Sequence, residues 1–323
     1  MSDLRRSQVA RRTKTVMVLA SAFGGWIAGC SNVQADPAPA FLQAAAIYQR
    51  ATNEFAEADF LKPAELKDNP PAFTLAPLIL QEVNGGNEPR ARLDRFGALS
   101  PSNGVLVIAS SQPAIYWQAD TVPLQGKVHA RLSYVWFYSP EPRVSEVGPG
   151  AFGHSPDRAR SGLPLQGIRI TLNTAGQPVT WEVLADSSGA ELIFLSQSLE
   201  AAAVAEFGRP LPGRRCAIER SLEEAPKVIV ARLIDDGPVA MGPIVYLSAG
   251  THAITTLICR CMPAQAREIL STGTYDLLPF EAAPANSLLL EGQARAKPLT
   301  PFWPGDDTGG KRLERCLRLP KAF

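Results

Sequence analysis

The chain predicts an α+β fold: a mainly antiparallel β-sheet domain with an N-terminal helix and a few short helices. Three observations lead there. From residue 104 onward, short runs rich in Val, Ile, Leu and aromatic residues alternate with Gly, Asn, Asp and Pro clusters, the punctuation of strands and tight turns. The 28 prolines and 25 glycines in 323 residues, with only 7% aromatic content, argue against a helical bundle. Helical spacing of apolar residues is confined to a few segments, most of them short.

Taken in order, residues 41–61 place Leu42, Ala46, Tyr48, Ala51, Phe55, Ala58 and Phe60 in a broadly helical pattern, which predicts an amphipathic helix. Residues 62–103 carry Pro63, Pro70, Pro71, Pro77, Pro89 and Pro101 and the pair Gly85-Gly86, and read as an extended connecting segment. Strands are expected at 105–110, 127–138, 167–172, 178–184, 191–195, 227–234, 244–247 and 254–261. Hairpin turns are expected at 173–177 (NTAGQ) and 235–238 (DDGP), which supply the residues that tight turns require. Short helices are expected at 199–207 and at 263–270, the second with Pro263 in its first turn. Near the C-terminus, Leu313, Cys316 and Leu317 share one helical face within 311–319. They sit in a stretch, 294–323, with seven Lys/Arg against three Asp/Glu. A local charge of +4 is a modest electrostatic signal, so this segment reads as a solvated tail held down through Cys316 rather than a headgroup-binding patch.

The first 29 residues have a different texture. A basic head (Arg5, Arg6, Arg11, Arg12 and Lys14 against Asp3) precedes an uncharged run of 13 residues at 15–27 (TVMVLASAFGGWI). That run is too short to span a bilayer core and fits the apolar region of a signal peptide. Ile27-Ala28-Gly29-Cys30 closes it and resembles the lipobox of bacterial lipoprotein precursors: a branched aliphatic residue, two small residues, then cysteine. The resemblance covers about a tenth of the chain. It implies that the Cys30 thiol receives a diacylglyceryl group, that cleavage falls just before it, and that the freed amine is acylated with a fatty acid such as palmitate. Two or three chains on one residue anchor stably where a single chain binds only marginally, at about 0.8 kcal/mol per buried CH₂. Ser31, where an aspartate would signal retention in the inner membrane, directs the expectation to the outer membrane facing the periplasm. Arg11-Arg12 is followed by Thr13-Lys14-Thr15 rather than apolar residues, which favours general secretion over twin-arginine export.

The expected organisation is therefore a lipoprotein signal peptide at 1–29 and a lipid-anchored tether at 30–40, followed by the helix and Pro-rich connecting segment at 41–103. A β-rich core domain at 104–283 and a Pro-rich, basic tail at 284–323 complete it. Loss of residues 1–29 leaves 27 Lys/Arg against 30 Asp/Glu, a net charge of −3, which gives no reason to expect nucleic acid as a partner.

Setting Cys30 aside as an anchor leaves Cys216, Cys259, Cys261 and Cys316, an even set suited to two disulfides in an oxidising compartment. Cys259 and Cys261 stand at i and i+2 in a predicted strand and so share a face, which favours pairing with Cys216 and Cys316 over pairing with each other. His252 with Cys259 and Cys261 is a weaker soft-metal candidate, because strand parity turns His252 to the opposite face unless a turn intervenes near Thr251. A redox role for the cysteines is a further alternative.

The known catalytic patterns fail. Residues 148–153 (GPGAFG) match G-x-G-x-x-G, but Pro142, Pro149 and Pro156 deny the strand and helix that a phosphate loop needs. Residues 246–250 (YLSAG) lack the first glycine of a nucleophile elbow and precede a strand. The three histidines, His129, His154 and His252, limit any triad to few combinations, and Asp235-Asp236 beside Gly237-Pro238 read as turn formers. Trp136, Phe137 and Tyr138 are consecutive on a strand, where neighbours alternate faces, so at least one of them needs cover from another element or a ligand. The sequence thus points to a membrane-anchored envelope lipoprotein, a non-enzymatic binding or structural protein that meets another envelope protein or a cell-wall component and carries no cofactor. The alternative is a metal- or thiol-dependent envelope protein built on Cys259, Cys261 and His252.

Overall fold

The computed structural model describes residues 55–65, 70–83, 96–102, 105–138, 165–184, 190–283 and 311–323. Cys30 with its flanking segment, the glycine-rich loop at 148–153, His154 and residues 294–310 of the C-terminal tail lie outside the described residues.

Strands account for 54% of the described residues and helices for 12%, which overturns the α+β expectation in favour of a nearly closed, barrel-like β-sheet. In chain order the elements are β1 (Phe55–Pro63), α1 (Pro70–Thr74), β2 (Leu78–Glu82), β3 (Phe96–Ser102) and β4 (Val105–Ala109). They continue with β5 (Ala114–Leu124), β6 (Lys127–Tyr138), β7 (Leu165–Leu172), β8 (Pro178–Leu184), β9 (Glu191–Ser196) and α2 (Gln197–Phe207). The last are β10 (Val228–Ile234), β11 (Pro243–Leu247), β12 (Ile254–Cys259), β13 (Ala266–Pro279), a 3₁₀ turn (Phe280–Ala282) and α3 (Lys311–Cys316).

Spatially the strands run β10-β9-β8-β7-β6-β5-β13-β1-β2-β11-β12, with β3 against β6 and β4 beyond it. The two end strands, β10 and β12, come within contact of each other. Eight of the twelve pairings are antiparallel; β1 with β13, β2 with β11, β5 with β13 and β9 with β10 are parallel.

Alternation along the strands builds two cores. Leu132, Tyr134, Trp136, Ile168, Trp181, Phe194 and their counterparts point into the barrel. Ile193, Leu195, Val228 and Val230 point outward beneath α2, α3 and the loop between α2 and β10. The segment around α1 lies across the interior face, with Ala72, Leu75 and Ala76 in the inner core. There the Tyr134 hydroxyl donates to the Ala72 carbonyl at 2.9 Å and the Tyr275 hydroxyl to the Pro77 carbonyl at 2.7 Å. Gly242 passes so close that a Cβ there would stand 2.3 Å from the carbonyl oxygens of both Leu75 and Ala76.

Several expected elements change type. The predicted helix over 41–61 is a strand where it is described. Its buried positions Phe55, Ala58 and Leu61 stand three residues apart and so imitate helical spacing, although Leu61 enters the inner core and Phe55 and Ala58 belong to a separate cluster. The connection at 62–103 contributes α1, β2 and β3, and the helix expected at 263–270 is the start of β13, held by parallel pairing to β1 rather than by a local pattern. Strand β5 was not anticipated. It joins β6 through the two-residue turn Gln125-Gly126, whose positive φ angles of 50° and 74° define a tight hairpin.

Asp235-Asp236 do not close a hairpin, since β10 and β11 are not neighbours in the sheet. Instead the Asp236 carboxylate accepts from the Ser198 backbone N–H at 2.8 Å and from its hydroxyl at 2.7 Å, at the start of α2. Ser196 caps the same helix by accepting from the Leu199 N–H at 3.1 Å.

Candidate functional site

The best-defined chemical group is a disulfide between Cys259 and Cys261. The expected pairing with Cys216 and Cys316 does not occur, and local geometry explains why. Two residues of extended strand span about 6.6 Å, but β12 ends at Cys259 and the chain turns, with the Met262 N–H donating to the Cys259 carbonyl at 3.0 Å. The turn brings the two Cα atoms to 5.1 Å, within bridging range. Closing a loop this short confers only about 1–2 kcal/mol of chain-entropy stabilisation, against about 4.7 for a loop of 100 residues.

The two sulfurs differ in setting. Cys259 is 8% exposed and belongs to the inner core, whereas Cys261 is exposed. The Cys261 backbone N–H donates to the Cys259 sulfur at 3.1 Å. Arg260, between them, donates to the Ala76 carbonyl, and burial pushes its pKa down. Cys259 and Arg260 border a pocket of about 40 Å³ together with Trp181, Ile234, Asp236 and Met241. That volume holds a few water molecules and falls far below the roughly 300–1,000 Å³ of small-molecule sites.

His252 does not join the cysteines. It adopts a positive φ of 55° in the turn before β12, and its ring stacks on Tyr138 with centroids 3.7 Å apart. Among the described residues no group of three or more His, Cys, Asp or Glu side chains is placed to hold a metal ion, so the metal candidate lacks its geometry.

The aromatic candidates are all covered by the protein itself. Trp136 and Tyr138 fill the barrel interior, and Phe137, 1% exposed, packs outward against Leu99, Tyr116 and Phe280. The cover that alternation demands is supplied by β3, β5 and the 3₁₀ turn, so the three residues form no open groove.

Cys216 and Cys316 are unbridged thiols in the outer core. Burial, reinforced by the nearby Glu200 and Glu219 carboxylates, pushes the Cys216 pKa up to about 12. Burial also raises that of Cys316, whose thiol donates to Glu191 at 2.5 Å. Both stay protonated at neutral pH and make poor nucleophiles.

His129 is 1% exposed, hydrogen-bonds through Nδ1 to the Leu172 carbonyl at 2.9 Å and packs on Phe323, as a structural strand residue does. Ser248 shares a 2.6 Å hydrogen bond with Thr251 within its own turn. The asymmetric disulfide was missed in the sequence because the strand was extended two residues too far; the signal that could have found it is Pro263, which disfavours regular structure just beyond Cys261.

No family model matches the chain, and neither a curated protein nor a solved structure matches it.

Proposed function

We propose that this chain is a lipid-anchored protein of a bacterial envelope, whose barrel-like β-domain serves as a non-enzymatic binding or structural module. The observation that carries the reading is Ile27-Ala28-Gly29-Cys30 placed behind a basic head and a 13-residue apolar run. Two structural features support it. The Cys259–Cys261 disulfide suits an oxidising compartment. The barrel interior is filled by its own side chains, among them Trp136, Tyr134 and Phe194, so another envelope protein or a cell-wall component would be met on the outer surface.

The test is metabolic labelling of the full chain with radioactive palmitate in a bacterial host. Wild type is expected to incorporate label, to accumulate as an unprocessed precursor when the lipoprotein signal peptidase is inhibited, and to sediment with membranes. Cys30→Ala is expected to lose all three properties. Unlabelled wild type in the soluble fraction would overturn the anchor. Co-sedimentation of the delipidated domain with purified cell-wall sacculi, and crosslinking in intact cells, then separate the two partner classes.

A further inference from the structure

We infer that Cys259–Cys261 is a thiol–disulfide exchange site that accepts two electrons from the dithiol of a partner polypeptide, with Cys261 as the sulfur attacked. Exchange at this bond is independent of the lipid anchor, because it depends on the setting of the two sulfurs.

Exchange requires a thiolate to approach along the S–S axis from the side opposite the leaving sulfur. Attack on Cys259 would have to come from the side of the inner core, where Cys259 packs among buried apolar side chains. The loop at Gly237 covers it further: even a Cβ at that glycine would stand 3.4 Å from the Cys259 sulfur. Cys261 faces solvent. The leaving group is prepared as well, since the Cys261 N–H already donates to the Cys259 sulfur at 3.1 Å. The adjoining pocket, at about 40 Å³, is too small to admit a peptide, so the encounter takes place at the exposed sulfur.

The step balances as follows. A partner thiolate bonds to Cys261 Sγ, the Cys259–Cys261 bond breaks, and Cys259 leaves as a thiolate that takes up a proton. The second partner thiol loses its proton and attacks the partner sulfur of the mixed disulfide, releasing Cys261 as a thiolate that is protonated in turn. The partner dithiol is oxidised to a disulfide and the protein disulfide is reduced by two electrons and two protons. Cys216 and Cys316, buried and unbridged, take no part.

The folded full chain is treated with dithiothreitol and then with an alkylating reagent, and the modified cysteines are mapped by mass spectrometry. Cys259 and Cys261 are expected to become alkylated without denaturant, with one equivalent of oxidised dithiothreitol formed, while Cys216 and Cys316 stay unmodified. With oxidised glutathione as the probe, Cys261 in the Cys259→Ser variant is expected to form a mixed disulfide at least ten-fold faster than Cys259 in the Cys261→Ser variant. Should either variant fail to fold, the wild-type reduction decides alone. A disulfide that opens only in denaturant overturns the proposal, and equal rates in the two variants overturn the assignment of Cys261 as the attacked sulfur.

Discussion

The barrel interior and the outer layer solve one problem with opposite chemistry. In each, an irregular stretch of backbone is buried against the sheet and its polar groups must be satisfied. Inside, neutral phenols do this: Tyr134 and Tyr275 donate to the carbonyls of Ala72 and Pro77, and Arg260 adds a charged donor, to Ala76. Outside, carboxylates accept from the loop. Glu200 takes the N–H groups of Ala217 at 2.6 Å and Ile218 at 3.3 Å, and Glu219 takes those of Arg215 and Cys216, both at 2.8 Å. Arg220 and Arg318 donate to the carbonyls of Glu314 and Ala217, tying α3 and the loop together. The difference follows from the cost of burying charge, which is highest where solvent is farthest.

Truncation separates the two regions most sharply. Trp136→Ala, at a fully buried interior position, is expected to destabilise by about 3–5 kcal/mol in urea denaturation. Leu317→Ala in the outer core should cost about 2–3 kcal/mol, because α3 can settle onto the vacated space more easily than barrel strands can close on an interior void. An outer truncation as costly as the inner one would show that α3 is as rigid as the barrel.

Polar deletions come next. Glu200→Ala leaves the N–H groups of Ala217 and Ile218 without their acceptor, and about 2–3 kcal/mol is expected, with loss concentrated in hydrogen-exchange protection of the loop between α2 and β10. Tyr134→Phe removes one neutral hydrogen bond to Ala72 and should cost about 1 kcal/mol, measured by the same denaturation assay. If the two deletions proved equal, the charged and neutral strategies would be energetically equivalent.

The sequence revealed these regions unequally. Antiparallel neighbours β6 to β9 were legible because each strand carries its own alternation, and β7 and β8 also join through a short turn at Asn173, whose side-chain oxygen accepts from the Ala175 and Gln177 N–H groups. The helix at 199–207 and the apolar face of Leu313, Cys316 and Leu317 were legible for the same local reason. Strands β1, β2 and β13 were not. β1 pairs with β13, β2 with β11 and β13 with β5, three parallel pairings between segments far apart in sequence, and the β1–β13 register shifts past Leu270. At the candidate site, the types of residue were visible but the turn that joins Cys259 to Cys261 was not. Ending the strand at Cys259 rather than at Cys261 brings the two Cα atoms to 5.1 Å, where extended strand would hold them about 6.6 Å apart.

A pH dependence distinguishes the regions by onset. Cys216, Cys316, Tyr134 and Tyr275 are all acids whose folded-state pKa is raised, in each case chiefly by burial. For such groups the unfolded chain releases its proton first, so the stability they contribute is complete below the unfolded pKa and declines as pH rises above it. The thiols begin this decline near their ordinary value of 9.0, Cys216 continuing to about 12, and the phenols begin near 10.0. The urea midpoint of wild type should therefore fall gently from about pH 9 and more steeply above pH 10. In the Cys216→Ala, Cys316→Ala double variant, stability should be lower throughout but flat until the phenols begin to titrate. A double variant that keeps the wild-type slope between pH 9 and 10 would show that the outer thiols are not what the alkaline side senses first.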